Sequence, residues 1–198
     1  MTTSLRQQII GLRRRIANTD LRFIPHRPLI RLLTNDAISA ALHRTNLSEL
    51  HRLQIPSIAQ RITSGGRKVF AILVFLKDEE AMIVQFFKHD QLVPTPLDSR
   101  LPFSQEELTN IVPDIASEFF ERQWEFCAPI FSKGVLHREL HDSIRLPFVS
   151  EKSYGAGGFG DVYWFKLDKE QQTLAFTDPE DESSLQSLLP RHIFINLS

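Results

Sequence analysis

The chain has 198 residues, 42% of them hydrophobic and 24% charged, with a formal net charge of −1 at neutral pH. That length and composition fit one globular domain, or one domain with an appendage, and the near-zero charge argues against a general nucleic-acid binder. The single cysteine, Cys127, excludes an internal disulfide and gives no zinc framework. No signal peptide opens the sequence and no apolar run is long enough to span a bilayer, so an intracellular, cytoplasmic location is expected.

Residues 1–140 read as mainly helical. In segment 4–17, Leu5, Ile9, Leu12 and Ile16 recur at helical spacing and define an apolar face. The same region is basic: Arg6, Arg13, Arg14, Arg15, Arg22, Arg27 and Arg31 face only Asp20. An anionic membrane surface, a mitochondrial import receptor or RNA would suit such a helix. The plainer reading is the polar side of an ordinary helix, with its arginines also free to pair with the acidic group Asp178, Glu180, Asp181 and Glu182. Asp36 is expected to cap a helix running through Ala37 and Leu42. Ser48 begins a short turn through Leu50 and Leu53. Pro56 is placed in the first turn of a helix carrying Ile58, Ala59 and Ile62, which Gly65-Gly66 stops.

Lys68 to Leu76 is a short buried element. Periodicity does not separate helix from strand there, and the helical neighbours favour helix. Asp78-Glu79-Glu80 supplies acids to the first turn of a helix through Met82, Ile83, Phe86 and Phe87. Pro94, Pro96 and Pro102 mark a loop, and Ser104 with Glu107 reads as a capping box. Asp114 to Phe126 has the pattern of an amphipathic helix, with Ile115, Phe119, Trp124 and Phe126 as its apolar residues. Cys127 follows in apolar company and reads as a buried structural thiol. His137 and His141 are four apart, but His137-Arg138-Glu139-Leu140-His141 is H-x-E-x-H and not the zincin order, and no third ligand is evident. No metal site is expected, and no G-x-S-x-G nucleophile motif is present.

The segment that points to a chemistry is Tyr154-Gly155-Ala156-Gly157-Gly158-Phe159-Gly160-Asp161-Val162-Tyr163. It reads G-x-G-x-x-G-x-V between two strand-like runs, Ile144–Val149 and Val162–Leu167. Two strands must turn tightly there while backbone N–H groups approach phosphate oxygens. A side chain at Gly155, Gly157 or Gly160 would hold the backbone away. Phe159 at the tip would shield the phosphates, and Val162 would pack against the base. In dinucleotide folds the same glycines open a helix, whereas β-branched and aromatic residues follow here and favour a strand. The alternative is a glycine-rich hairpin with no ligand.

With these residues in view, the stretch from about Leu146 to about Phe176 resembles the start of a eukaryotic-type protein kinase domain. The region before it is similar to the helical N-terminal extension of some fungal kinase-like proteins. The resemblance implies a flap over ATP whose nucleotide-binding-like positions are Gly155, Ala156, Gly157, Gly158, Phe159, Gly160 and Val162. It also implies a third strand, Thr173–Thr177, in which Ala175 and Phe176 fit the family's V-A-I-K pattern. Thr177 stands where the phosphate-gripping lysine belongs, and its side chain is too short and uncharged. No D-F-G follows. His137-Arg138-Glu139-Leu140 resembles H-R-D-L only superficially, because it precedes the glycine loop and carries Glu139 for the aspartate.

The expected fold class is therefore α+β: a mainly helical region (1–140), a truncated kinase-like antiparallel β-hairpin (144–177), and an acidic linker and tail (178–198). The expected function is that of a truncated serine/threonine-kinase-like chain, catalytically inactive itself. ATP and magnesium belong to a full-length parent, and this chain is expected to hold no cofactor. The alternative is a complete helical interaction or scaffold protein with a vestigial hairpin, binding a protein partner through its helices. The hairpin is expected to be a loose appendage that proteolysis removes before the helices.

Overall fold

The computed structural model describes residues 3–44, 49–76, 96–132, 140–157 and 160–173. The fold is α+β and mainly helical, and the described residues form two small antiparallel two-stranded sheets. Among the described residues, no helix is long and apolar enough to cross a membrane.

Helix α1 (Leu5–Gly11) starts in a capping box: the Ser4 hydroxyl accepts from Gln7 N–H, and the Gln7 side chain accepts from Ser4 N–H. Leu5 and Ile9 are buried as expected. The helix does not continue to residue 17. It ends at Gly11, a residue that weakens a helix by about 1 kcal/mol relative to alanine. Arg14–Arg15 (β1) then pairs antiparallel with Arg22–Phe23 (β2). Asn18, with φ of 57°, makes the turn between them, a conformation asparagine tolerates better than most residues. Ile16 therefore leaves the α1 face and packs with Phe23 and Ala128 in a separate small cluster.

Helix α2 is His26–Leu32 and α3 is Asn35–His43. The α3 cap is Thr34, whose hydroxyl accepts from Ala37 N–H. Asp36 lies inside the first turn, where its charge complements the helix dipole but does not cap. Helix α4 (Glu49–Gly65) carries Pro56 in its interior and not in its first turn. Pro56 removes one helical hydrogen bond. The burial of Ile55, Ile58, Ala59 and Ile62 along one face offsets that loss. Gly65 ends this helix as anticipated, against Pro96: a Cβ on Gly65 would stand 2.5 Å from the Pro96 Cβ.

Helix α5 (Arg67–Leu76) resolves the ambiguous apolar run as a helix, with Val69 through Phe75 all buried. A helix apolar on every side must be enclosed by others, and α1, α4 and the helices that follow enclose it. Its start is capped from a distance. Asp98, in the 3-10 turn Leu97–Arg100, accepts from Lys68 and Val69 N–H at 3.0 and 3.1 Å. The helix anticipated over 78–87, like Ser48 and Pro94, lies outside the described residues.

Helix α6 (Gln105–Ile111) has the anticipated Ser104–Glu107 capping box, with both bonds formed. Pro113–Ile115 is a 3-10 turn, so α7 is Ala116–Phe126 and starts two residues later than Asp114. Phe119, Trp124 and Phe126 are buried on it. Gln123 is buried too and satisfied on both sides: its Oε1 accepts from Phe103 N–H at 2.8 Å and its Nε2 donates to Phe103 C=O at 2.9 Å. The core is lined by Phe70, Phe103, Phe119 and Phe126, with Phe75 edge-on to Phe126 at 5.9 Å.

The second sheet is a hairpin of β3 (Phe148–Gly157) and β4 (Gly160–Leu167). The first strand begins at Phe148, so most of the strand anticipated over 144–149 is connecting chain. Pro147 offers no N–H to a ladder. Phe148 stacks on Phe165 at 4.3 Å, and both rings stand near the base of the hairpin.

Candidate functional site

The described part of the glycine-rich segment lies along two antiparallel strands and not at the start of a helix. Across the ladder Gly155 faces Val162, Ala156 faces Asp161, and Gly157 faces Gly160. Five of the seven sequence-derived positions, Gly155, Ala156, Gly157, Gly160 and Val162, are thus brought together on neighbouring strands. Gly158 and Phe159 lie outside the described residues, as do Leu174 to Thr177 of the anticipated third strand, the lysine-equivalent position included. The ladder is irregular between Ser153 and Gly155, next to the glycines, where a bulge increases local twist.

The base of the hairpin is tied to the helical region by residues to which the sequence reading gave no role. Immediately after β4, Asp168 caps the 3-10 turn Lys169–Gln171 by accepting from Glu170 N–H at 2.8 Å. Its buried carboxylate also pairs with Arg14 of β1. Gln171 is 1% exposed and bonds at both ends. Its Oε1 accepts from His26 N–H at 2.7 Å, at the start of α2, and its Nε2 donates to Ala128 C=O at 2.6 Å, just past α7. Phe131 N–H donates to Gln171 C=O, Thr173 N–H donates to Phe131 C=O, and Ala17 N–H donates to Phe148 C=O. Arg31 reaches Glu170 at 3.2 Å. The hairpin base is therefore not a loose appendage, because buried polar groups on both sides need each other.

A second polar hub is Glu125 on α7, with its side chain 1% exposed. It accepts from Arg13 at 2.8 and 3.0 Å, and from Arg122 at 2.9 Å. Arg145, in the segment leading to β3, stands 3.5 Å away and also donates to Arg22 C=O at 2.6 Å. The arginines of the N-terminal segment are thus not simply a solvated helix face. Arg13 and Arg14 serve two different buried carboxylates, one in the helical region and one at the hairpin base. The acidic group 178–182, their anticipated partner, lies outside the described residues.

Burial pushes the Cys127 thiol up to about 11, so the thiol stays protonated and inert at neutral pH. Burial, reinforced by Lys68, lowers the His26 pKa, and its Nδ1 is buried without a hydrogen-bond partner among the described residues. His141 stacks on Trp124 at 4.6 Å, while His137 lies outside the described residues. Among the described residues no group of three His, Cys, Asp or Glu side chains is placed to hold a metal ion. The hairpin sets the backbone of Gly155, Gly157 and Gly160 on two neighbouring strands, the arrangement a phosphate-covering loop would need.

Comparison of the chain with protein-family models, curated proteins and solved structures gives no match in any of the three.

Proposed function

We propose that this chain is a protein-kinase-like polypeptide in which a helical region carries the glycine-rich flap of a kinase small lobe. On this reading the parent activity is ATP-dependent phosphorylation of serine and threonine hydroxyls, an intracellular chemistry, and the chain as given is catalytically inactive. The observation that supports it is the antiparallel hairpin with Gly157 paired to Gly160 and Gly155 paired to Val162. That is the strand–turn–strand context a phosphate-covering loop requires, and not the strand–turn–helix context of a dinucleotide site. Inactivity follows from Thr177, which cannot replace a lysine, and from the lack of a D-F-G sequence.

The second reading is a non-catalytic interaction protein that binds a protein partner through its helices, with the hairpin as a relic. Thr177 favours it, because a flap without the neighbouring lysine has little to hold. The deciding experiment is the sequence of the mature transcript together with the mass of the native protein. A longer product with lysine in the third strand and downstream H-R-D and D-F-G motifs supports the kinase reading. A native product ending at Ser198 refutes it and leaves the interaction reading. Calorimetry of this chain with Mg-ATP checks the inactivity: no binding is expected at about millimolar nucleotide, and micromolar binding would overturn it.

A further inference from the structure

Arg6, Arg13 and Arg122 lie beside the C-terminal end of α5, and Arg145 joins Arg13 and Arg122 through Glu125. The Nε of Arg6 donates to Phe75 C=O at 2.9 Å. The guanidinium carbons of Arg13 and Arg122 lie 5.5 and 5.8 Å from the centroid of the Phe75 ring. Arg13, Arg122 and Arg145 also share the Glu125 carboxylate. One carboxylate among four guanidinium groups leaves a formal surplus of three positive charges, and the described residues supply no further anion to this group.

The surplus is held in place and not dispersed. The aromatic ring and the buried Glu125 fix the guanidinium planes, and Arg145 is only 16% exposed in its side chain. Burial lowers the Arg145 pKa; Glu125 opposes that shift, while Arg122 and Arg13 add to it, as mutual repulsion among the cations requires. Like charges packed this closely are costly unless an anion joins them. Access is open: the Arg122 side chain is 44% exposed and Arg6 is exposed. Each guanidinium carries five N–H donors in a planar fork, and only part of them is used by Glu125, Phe75 and Arg22. Planar guanidinium forks match phosphate oxygens in pairs.

We propose that Arg6, Arg13, Arg122 and Arg145 form a binding site for a phosphate monoester dianion, either free phosphate or a phosphorylated side chain. The site is independent of the glycine hairpin and of the kinase reading. Glu125 acts as a positioning residue: it holds three of the four forks and faces no ligand itself.

The test is calorimetric titration of the full chain at constant ionic strength and about pH 7.5. The probes are inorganic phosphate, a phosphoserine peptide with its unphosphorylated twin, and a single-stranded RNA oligomer. Saturable binding of phosphate or of the phosphoserine peptide is expected, with none for the twin. Arg122→Gln, at the most exposed of Glu125's three partners, is expected to weaken binding by about tenfold or more, with far-UV circular dichroism confirming that the variant is folded. Arg31→Gln removes the same charge beside Glu170 and is expected to leave affinity within about twofold. Affinity is expected to rise through about pH 6 as the monoester takes its second charge. Tighter binding of the peptide than of phosphate identifies a protein-borne group as the source, and equal affinity identifies free phosphate. Absence of saturable binding, equal weakening by Arg31→Gln, or preference for the RNA oligomer would overturn the proposal.

Discussion

Replacing Gln171 by alanine tests whether the hairpin is integral to the helical region. The side chain is 1% exposed and makes two short bonds, 2.7 Å from His26 N–H and 2.6 Å to Ala128 C=O. Truncation leaves both backbone groups without that partner in a region closed to water. Each such loss costs about 1–3 kcal/mol, so the pair sums to roughly 2–6 kcal/mol, and relaxation favours a value near 3. With a urea dependence of about 2 kcal/mol per molar for a chain of this size, the unfolding midpoint should fall by about 1.5 M. Hydrogen exchange should localise the effect: amides of β3 and β4 should lose protection, while those of α5 keep theirs. Lys169→Ala, on the exposed side of the same turn, serves as the control and should change the midpoint little. A midpoint within about 0.3 M of the parent for Gln171→Ala, or unchanged exchange in the hairpin, would refute the claim that this residue docks it.

Glu125→Gln removes the charge that three arginines share. Because two of those arginines are partly solvated, the low end of the range for breaking a buried pair applies, about 3 kcal/mol, whereas Arg15→Gln at the exposed pair with Asp20 should cost under about 0.5 kcal/mol; thermal denaturation of both variants checks the contrast. Ser104→Ala should cost about 1 kcal/mol by loss of the α6 cap. The backbone hydrogen bond from Ser104 lowers the Glu107 pKa, so its stabilisation is full above its ordinary value of 4.5 and is lost as pH falls through the folded value. The stability difference between the parent and Glu107→Gln should therefore shrink on acidification, and a difference that grows would contradict the assignment. Cys127, with its pKa raised from 9.0 to about 11, should react with iodoacetamide at pH 8 roughly a hundredfold more slowly in the folded chain than in urea, and equal rates would show the thiol is not shielded.

Local chemistry was legible in the sequence wherever one short segment decides the outcome. Ser104 and Glu107 sit at the spacing of a capping box and form one. Gly65-Gly66 stops a helix, and the alternation of glycines with β-branched and aromatic residues makes a hairpin at 148–167. The apolar stripe of α7 placed Phe119 and Phe126 in the core without knowledge of what they would touch, whereas Trp124, on another side of the helix, is buried against Phe120 and His141.

Tertiary structure decided what depends on distant partners. Helical periodicity carried the first helix on to Ile16, but Arg13 and Arg14 are drawn to Glu125 and Asp168, more than a hundred residues away, and the chain turns into a β-ribbon to reach both. Pro56 looked like a helix start because its ring suits a first turn, yet the buried face of α4 outweighs one lost hydrogen bond. Thr34 caps α3 in place of Asp36, a choice between neighbouring oxygens that backbone geometry settles. The contacts of Asp98 with the start of α5 and of Gln171 with the start of α2, and the shared carboxylate of Glu125, carry no motif, because a buried polar group is defined by the partner that satisfies it and not by its own neighbours in sequence. Residue pattern marked which stretches are helical and where the glycine hairpin lies, though not where α1 ends or α4 begins; the packed chain alone shows that the hairpin is held by buried polar bonds and that three arginines meet around one glutamate.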